Sequence, residues 1–331
     1  MASALLVLGL AASLFSQPAA TPFAPPQDWK DPSPHATRFV TVSPEVRLEV
    51  LDWGGSGTPL VLLAGGGDTA HVFDDFAPKL ASDFHVYGIT RRGFGRSGFA
   101  PVPGTEAFGD DVLAVLDTLA LKKCVLVGHS IAGQELSSIA TKHPERVTGL
   151  VYLDAAYPYA FDNGTGPSLD DFQRLRSPQA PPPSRSDLAG FSALRQYYLR
   201  VYGYTYPEAE LRQQRPINAD GRIGEPLDFP GVTALLTGMK KYAGIRVPAL
   251  VILATPHVLG TWIETSTDPN VREQARVYTD ALTRLTDRQI TVVEHSAPTA
   301  RLIRLRAAHH VFLSNEADVI REMRSFLRRL P

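Results

Sequence analysis

The sequence predicts an α/β fold, a mostly parallel sheet flanked by helices, with a helical lid inserted into it. Short apolar segments typical of strands buried on both faces alternate with amphipathic helical segments from about residue 38 onwards. The composition, 44% hydrophobic and 20% charged among 331 residues, is that of an ordinary globular protein. One interruption, residues 157–244, holds ten of the 27 prolines and eight of the eleven tyrosines, so we interpret it as the inserted lid.

The strands and helices are predicted in a regular order along the chain. Before the interruption they are a hairpin (39–42 and 46–53), strands 59–64, 85–90, 124–127 and 149–153, and helices 73–82, 105–119 and 131–142. After it come strands 248–254 and 301–305 and helices 270–285 and 318–330. The predicted core is therefore residues 38–156 and 245–331.

The charge balance and the cysteine content exclude several classes of protein. The chain has 33 Lys and Arg against 34 Asp and Glu, a net charge of −1, so no basic excess favours nucleic acid. The single cysteine, Cys124, excludes an internal disulfide and a thiolate zinc site. It lies in an apolar segment, which predicts a buried, unreactive thiol.

The N-terminal residues are predicted to precede the folded core. Residues 4–15 form an apolar stretch too short to span a bilayer, which predicts a signal peptide over residues 1–20 and no stable membrane insertion. The alternative is an uncleaved apolar arm. Six prolines in residues 18–34 predict an extended linker over residues 21–37. We therefore expect a secreted or periplasmic protein, with the cytoplasm as the alternative location.

A candidate nucleophile lies in residues 125–133 (VLVGHSIAG), a buried strand that turns sharply into a helix. Ser130 is at the turn, between the small residues Gly128 and Ala132, in a variant of the G-x-S-x-G pattern. Such a turn exposes the serine hydroxyl to a base. An earlier strand ends in residues 62–68 (LLAGGGD), where glycines allow backbone N–H groups to face a neighbouring site. A phosphate-binding loop is excluded because no Gly-Lys-Ser/Thr ending follows.

With these motifs the chain resembles the α/β-hydrolase superfamily, particularly its lid-bearing, serine-nucleophile, esterase-like members, over about residues 46–330. The resemblance implies an oxyanion hole formed by the N–H groups of Gly66 and Ile131, although Ala64-Gly65 stands where relatives usually carry His-Gly. It also implies that residues 90–98 (TRRGFGRSG) form a structural turn braced by its arginines.

Two adjacent histidines are candidates for the base. In the family the base stands about ten residues before the apolar residue that opens the final helix. Counting back from Val319 selects His309, with His310 as the alternative. The other histidines are interpreted as structural: among them His35 and His71 at the surface and His257 in a loop.

The acid is the least determined member of the predicted triad. Residues 255–260 (TPHVLG), where an Asp is common in the family, contain no carboxylate, although Glu264 and Asp268 follow. In haloalkane-dehalogenase relatives the acid ends the preceding strand, as Asp154 does here in residues 152–156 (YLDAA). We favour Asp154, with Glu264 as the alternative.

These residues predict a serine hydrolase acting on a small carboxylic ester through an acyl-enzyme, with no metal site and no organic cofactor. Serine rather than aspartate at the turn argues against an alkyl-enzyme mechanism. The alternatives are a carbon–carbon bond hydrolase or cofactor-free peroxidase using the same triad, or a non-catalytic binding protein. The predicted partner is a small ester. The tyrosines of the insertion are expected either to line the substrate pocket or to pack the insertion.

Overall fold

A computed structural model describes residues 29–330 of the chain. The predicted signal peptide, residues 1–20, and the first part of the predicted linker lie outside the described residues. No helix within residues 29–330 is both long enough and apolar enough to cross a membrane. The buried Cys124 is a free thiol, and burial raises its pKa to about 12, in agreement with an unreactive cysteine.

The predicted α/β fold with a mostly parallel sheet is confirmed: residues 29–330 contain one sheet of eight strands. The strands are β1 (Ala36–Ser43), β2 (Val46–Gly54), β3 (Pro59–Leu63), β4 (His85–Ile89), β5 (Cys124–His129), β6 (Val147–Leu153), β7 (Ala249–His257) and β8 (Arg301–Ala307). Their order across the sheet is β1-β2-β4-β3-β5-β6-β7-β8. Only the β1–β2 and β2–β4 pairs are antiparallel.

Helices cover both faces of the sheet. They are α1 (Glu106–Thr118), α2 (Ala132–Lys142), α3 (Leu169–Gln173), α4 (Phe191–Tyr202), α5 (Glu208–Gln214), α6 (Thr261–Thr265), α7 (Pro269–Ser296), α8 (Val311–Ser314) and α9 (Glu316–Leu327). Alternate residues of β3 enter different cores: Val61 and Leu63 pack with the α1 and α2 side, whereas Leu60 and Leu62 pack with the α9 side. Helices α3, α4 and α5 all lie between β6 and β7, within the predicted insertion.

The structure corrects three of the predicted boundaries. Residues 73–82 do not form a helix: one 3-10 turn, Ala70–Phe73, ends at the first of them, and a second, Ala77–Lys79, lies among them. Pro78 removes a backbone donor that a longer helix would need. Helix α7 continues to Ser296, because apolar side chains such as Val293 keep it packed on the sheet. The predicted linker, 21–37, ends too late: β1 begins at Ala36, and residues before it are hydrogen-bonded to the core.

The parallel arrangement explains where the site forms. Strands β3, β5, β6, β7 and β8 run in the same direction, so their carboxyl ends lie at one edge of the sheet. The glycine loop, Ser130, Asp154 and His309 each follow one of these strands.

Candidate active site

Ser130 occupies the sharp turn between β5 and α2. Its φ is +54°, a left-handed conformation that side chains rarely adopt, and its side chain is partly exposed. The turn needs small neighbours: a Cβ at Gly128 would lie 2.8 Å from Leu136, and one at Gly133 would lie 2.0 Å from the Ala155 carbonyl oxygen. These contacts let α2 pass close to the sheet, so that the Ser130 hydroxyl stands above the carboxyl edge.

His309 is the histidine that reaches Ser130. Its Nε2 lies 2.9 Å from Ser130 Oγ and its Nδ1 lies 2.6 Å from Asp154 Oδ2. A carboxylate can only accept, so Nδ1 carries the proton and Nε2 is free to accept from the serine. His310, the alternative, instead donates from Nε2 to Asp68 Oδ2 at 3.0 Å.

Asp154 is fully buried at the end of β6, and both of its carboxylate oxygens are occupied. Oδ1 accepts from the Ala254 N–H and the Tyr157 hydroxyl, each at 2.9 Å. Oδ2 accepts from His309 and, at 3.0 Å, from Nε2 of His257. Burial alone would raise the pKa of Asp154, but the charge and hydrogen bonds of His257 and His309 outweigh it and hold the pKa well below its usual range.

His257 is a site residue that the sequence interpretation missed. It is a buried residue of β7, not a loop residue, and it lies where the family commonly carries its acid. The signal in the sequence was the lack of a carboxylate in residues 255–260. A histidine at that position can hydrogen-bond to an acid at the end of the neighbouring strand. The alternative acid, Glu264, is exposed on α6, and Asp268 is exposed and accepts the N-terminal Asn270 N–H of α7. The structure therefore does not bring either of them to His309.

The glycine loop after β3 lies directly beside the serine turn. A Cβ at Gly65 would lie 2.7 Å from Nδ1 of His129, and a Cβ at Gly66 would lie 3.6 Å from the Ile131 side chain. Within residues 29–330, the N–H groups of Gly66 and Ile131 donate no hydrogen bond. Two such N–H groups beside a serine hydroxyl can donate hydrogen bonds to a substrate oxygen on which negative charge develops.

Arg91 holds this loop in place through hydrogen bonds. Its guanidinium donates to the carbonyl oxygens of Ala64 (2.9 Å) and Gly65 (3.2 Å), and its Nε donates to Glu135 of α2 at 2.5 Å. One side chain thus links the glycine loop to the helix that carries the serine turn. Residues 90–98 have the bracing contacts expected of them, and Arg92 makes a separate ion pair with Asp111.

A second polar cluster lies behind the loop and was not predicted. Burial, together with the nearby His310 and His309, lowers the pKa of His129, so this imidazole is neutral and donates from Nε2 to the His309 carbonyl oxygen at 3.1 Å. Glu210 of α5 accepts from the Thr69 N–H at 3.0 Å, and Gln214 donates to Asp68 at 3.0 Å. The insertion is therefore hydrogen-bonded to the loop that carries Gly66.

The eight tyrosines of the insertion are all buried, and most of them pack on one another. Tyr198 and Tyr206 have ring centroids 4.9 Å apart, and Tyr206 packs on His310 with centroids 5.2 Å apart. These contacts match the packing interpretation for Tyr198 and Tyr206, whereas Tyr159 is within reach of the Ser130 side chain, as the pocket interpretation expects. Leu235 of the insertion lies beside Gly66, since its Cδ1 would be 3.2 Å from a Cβ built there.

Comparison with known proteins agrees with the observed fold. A family model described as alpha/beta hydrolase fold matches residues 58–255, which is more than half of the chain. The chain belongs to the α/β-hydrolase fold family. The matched region includes the glycine loop, the serine turn and Asp154, and it ends within β7.

Relatives of this α/β hydrolase include curated proteins and solved structures. A pimeloyl-[acyl-carrier protein] methyl ester esterase of Klebsiella pneumoniae is 35% identical over 127 residues, 35% of this chain and 48% of that protein. An sn-1-specific diacylglycerol lipase of Danio rerio is 33% identical over 117 residues, 34% of this chain and 37% of that protein. The chain thus spans less than half the length of these curated relatives. A carboxylesterase structure from Bacillus subtilis aligns with 90% of this chain and 93% of its own, at a TM-score of 0.55 and 19% identity, and shows the shared fold.

Proposed function

We propose that this α/β hydrolase is a serine esterase that cleaves small carboxylic esters through an acyl-enzyme intermediate. The observation that carries the proposal is the continuous hydrogen-bond chain from Ser130 through His309 to Asp154. Ser130 lies at a strained turn, beside two backbone N–H groups that have no acceptor within residues 29–330. This is the arrangement that acyl transfer to a serine requires.

In the first half-reaction the Ser130 oxygen attacks the ester carbonyl carbon while Nε2 of His309 takes the hydroxyl proton. The carbonyl oxygen becomes an oxyanion and accepts hydrogen bonds from the N–H groups of Gly66 and Ile131. Asp154 holds Nδ1–H of His309 and stabilises the imidazolium that forms. The imidazolium then donates its proton to the leaving alkoxide, and the acyl group stays on Ser130.

In the second half-reaction water replaces the alcohol. His309 takes a proton from the water as it attacks the acyl carbon, and the same two N–H groups hold the second oxyanion. The proton returns to Ser130 Oγ as the acid leaves. A low pKa at Asp154 supports both halves, because the carboxylate stays ionised while the imidazole changes charge.

We also propose that the insertion forms one wall of the acyl pocket. Leu235 supports this, since its methyl group lies against the position of Gly66 and so near the carbonyl of a bound ester. An apolar wall there favours an apolar acyl group over a charged one.

The test is hydrolysis of nitrophenyl esters of graded acyl length, combined with labelling by a fluorophosphonate. The wild type should hydrolyse the short esters and be labelled, and Ser130→Ala should do neither. Ser138→Ala, which removes a buried hydroxyl of α2 bonded to Glu106, is the matched control and should keep both properties. A wild type that is not labelled would favour a binding protein. Labelling without ester hydrolysis, together with cleavage of a β-diketone or formation of a peracid, would favour the other chemistries.

We propose further that the chain is exported, on the basis of the apolar stretch at residues 4–15. Mature protein recovered from a periplasmic or culture fraction should then begin near residues 17–21. Cytoplasmic protein that keeps its first residues would contradict export and leave the esterase proposal intact.

A further inference from the structure

A cluster of two histidines and two aspartates lies away from the catalytic residues. Asp31 and His35 come from the segment that precedes β1, and His71 and Asp74 come from the 3-10 turn that follows the glycine loop. Their side chains are largely buried: 18% of Asp31 is exposed, and at most 6% of each of the other three. The sequence interpretation that placed His35 and His71 at the surface is therefore wrong.

Each of the two histidines places one ring nitrogen close to carboxylate oxygens of both aspartates. Nε2 of His35 lies 3.2 Å from Asp31 Oδ2 and 3.3 Å from Asp74 Oδ1. Nδ1 of His71 lies 3.2 Å from the same Asp31 oxygen and 2.8 Å from Asp74 Oδ2. A tetrahedral zinc ion with bonds of about 2.0–2.1 Å separates its ligand atoms by about 3.3 Å. Three of the four nitrogen–oxygen distances, 3.2, 3.2 and 3.3 Å, are close to this value, and the fourth, 2.8 Å, is shorter.

The hydrogen bonds of the cluster do not account for all of its polar atoms. Within the described residues, Oδ1 of Asp74 is buried and accepts no hydrogen bond, although Nε2 of His35 faces it. A buried carboxylate oxygen without a partner is costly. A cation bound among the four groups would neutralise the two carboxylates and give this oxygen a partner.

The surroundings of His71 match those of a metal-bound imidazole. A ligating histidine usually directs its other ring nitrogen at a carboxylate or carbonyl that fixes the ring. In the part of the chain that the structure describes, Nε2 of His71 has no hydrogen-bond partner, but it lies 3.6 Å from Oε2 of Glu49. Glu49 is itself held by Arg96 and Thr90. On the other side, Nδ1 of His35 lies 3.4 Å from the Thr37 hydroxyl.

We propose that Asp31, His35, His71 and Asp74 form a binding site for one divalent cation of the zinc class. Two imidazole nitrogens and two carboxylate oxygens suit Zn²⁺, whereas Mg²⁺ prefers oxygen ligands alone. Four protein ligands leave no open position, so the cation is structural. It fastens the segment before β1 to the turn behind the glycine loop, next to the bond from Ser33 Oγ to the Asp74 carbonyl oxygen.

The experiment is titration of the chelator-treated full chain with Zn²⁺, followed by calorimetry and by thermal melting. The wild type should bind one Zn²⁺ per chain in a tight step. At a free Zn²⁺ concentration about 100 times the Kd, its Tm should rise by about 5 °C. Mg²⁺ at the same concentration should leave the Tm unchanged. Absence of a stoichiometric Zn²⁺ step in the wild type would overturn the proposal.

Two other buried groups of histidines and carboxylates lie at the catalytic centre and could also bind Zn²⁺. Variants are therefore needed to show which group binds the cation. Asp31→Asn and His35→Gln, both near-isosteric and on the segment before β1, should abolish the tight step and the Tm rise. His85→Gln is the matched control: it removes a histidine that lies 2.9 Å from the carboxylate of Asp52, outside the cluster, and should bind Zn²⁺ as the wild type does. Undiminished binding by Asp31→Asn and His35→Gln would place the cation elsewhere and contradict the proposal.

A crystallographic measurement keeps the proposal testable even if a variant fails to fold. Crystals of the wild type soaked in Zn²⁺ should give one anomalous peak within about 2.0–2.2 Å of an atom of each of the four side chains. A peak only at the catalytic histidines, or no peak at this cluster, would overturn it.

Discussion

Nδ1 of His309 lies 2.6 Å from Oδ2 of Asp154, and this contact joins the ends of two strands that are not neighbours in the sheet. Strand β7 lies between them and contributes two further donors to the same carboxylate, the Ala254 N–H and Nε2 of His257. Asp154 is thus held by β7, the strand after which the family usually carries its acid. This fixed orientation allows a specific prediction about its substitution.

Asp154→Asn should lower kcat by about 10,000-fold. The Ala254 N–H needs an acceptor, so the asparagine would place its carbonyl oxygen there and its NH₂ group toward His309. That NH₂ group would force Nδ1 to accept, which puts the imidazole proton on Nε2, where it blocks transfer from Ser130. The measurement is kcat on a nitrophenyl ester, with the Tm recorded because the buried carboxylate also supports the sheet.

Glu264→Gln is the matched control for that variant. It removes an exposed carboxylate from α6, and kcat should stay within about twofold of the wild type. A large loss in Glu264→Gln, with Asp154→Asn nearly as active as the wild type, would show that the acid has been assigned wrongly.

The two adjacent histidines should respond differently to substitution. His309→Ala should reduce kcat by several orders of magnitude with little change in Tm, because it removes the base. His310→Ala should chiefly lower the Tm, since it leaves the buried Asp68 carboxylate without its imidazole partner, and should cost kcat about tenfold or less. Measuring both kcat and Tm for each variant separates the two roles. A catalytic collapse in His310→Ala at unchanged Tm would contradict this assignment.

Local patterns were sufficient to predict the sheet and the serine turn. The apolar segments of β3, β5 and β6 and the small residues around Ser130 encode buried strands and a close helix, which depend on neighbours in sequence. The helix predicted over residues 73–82 was wrong because its apolar spacing is also compatible with two 3-10 turns, and Pro78 favours them.

Contacts between distant segments could not be predicted in this way. His257 and Asp154 are separated by 103 residues, and no local pattern shows that two parallel strands bring them together. The same holds for Glu210 and Thr69, 141 residues apart. His35 and His71 each have an aspartate three or four residues away, but only the fold shows that the two pairs converge.

We expect a substitution of Arg91 to reduce kcat even when it keeps the positive charge. Arg91→Lys keeps the positive charge but cannot bond both loop carbonyls and Glu135 together, so the Gly66 N–H should lose its fixed direction. We expect kcat to fall by about tenfold or more, with a smaller change in KM. Arg92→Lys is the control, since Arg92 pairs with Asp111 away from the loop, and it should change Tm rather than kcat. Equal losses of kcat in both variants would contradict a specific role for Arg91.

Glu210 gives the protein a predicted dependence on pH. The side chain is fully buried on α5, and its burial and the nearby charge of Asp68 raise its pKa from 4.5 to about 8. Below pH 8 the carboxyl is therefore neutral in the folded protein, whereas in the unfolded chain it ionises above about 4.5. Between these values the folded state binds one more proton than the unfolded state. Each unit of rising pH then lowers the free energy of unfolding by about 1.4 kcal/mol from this group.

Glu210→Gln should remove this loss of stability at higher pH. The amide oxygen keeps an acceptor for the Thr69 N–H, and the amide cannot ionise. Its NH₂ group can donate to the Thr69 hydroxyl oxygen, which in the wild type donates to Oε2 of Glu210. At pH 5 the variant and the wild type should have similar Tm values, which serves as the internal control. From pH 5 to pH 8 the variant should become progressively more stable than the wild type, by several degrees in Tm. A Tm difference that stays constant across this range, or that shifts in favour of the wild type, would show that Glu210 is already ionised at pH 5. In that case, the bond between α5 and the glycine loop would rest on a carboxylate rather than on a neutral carboxyl.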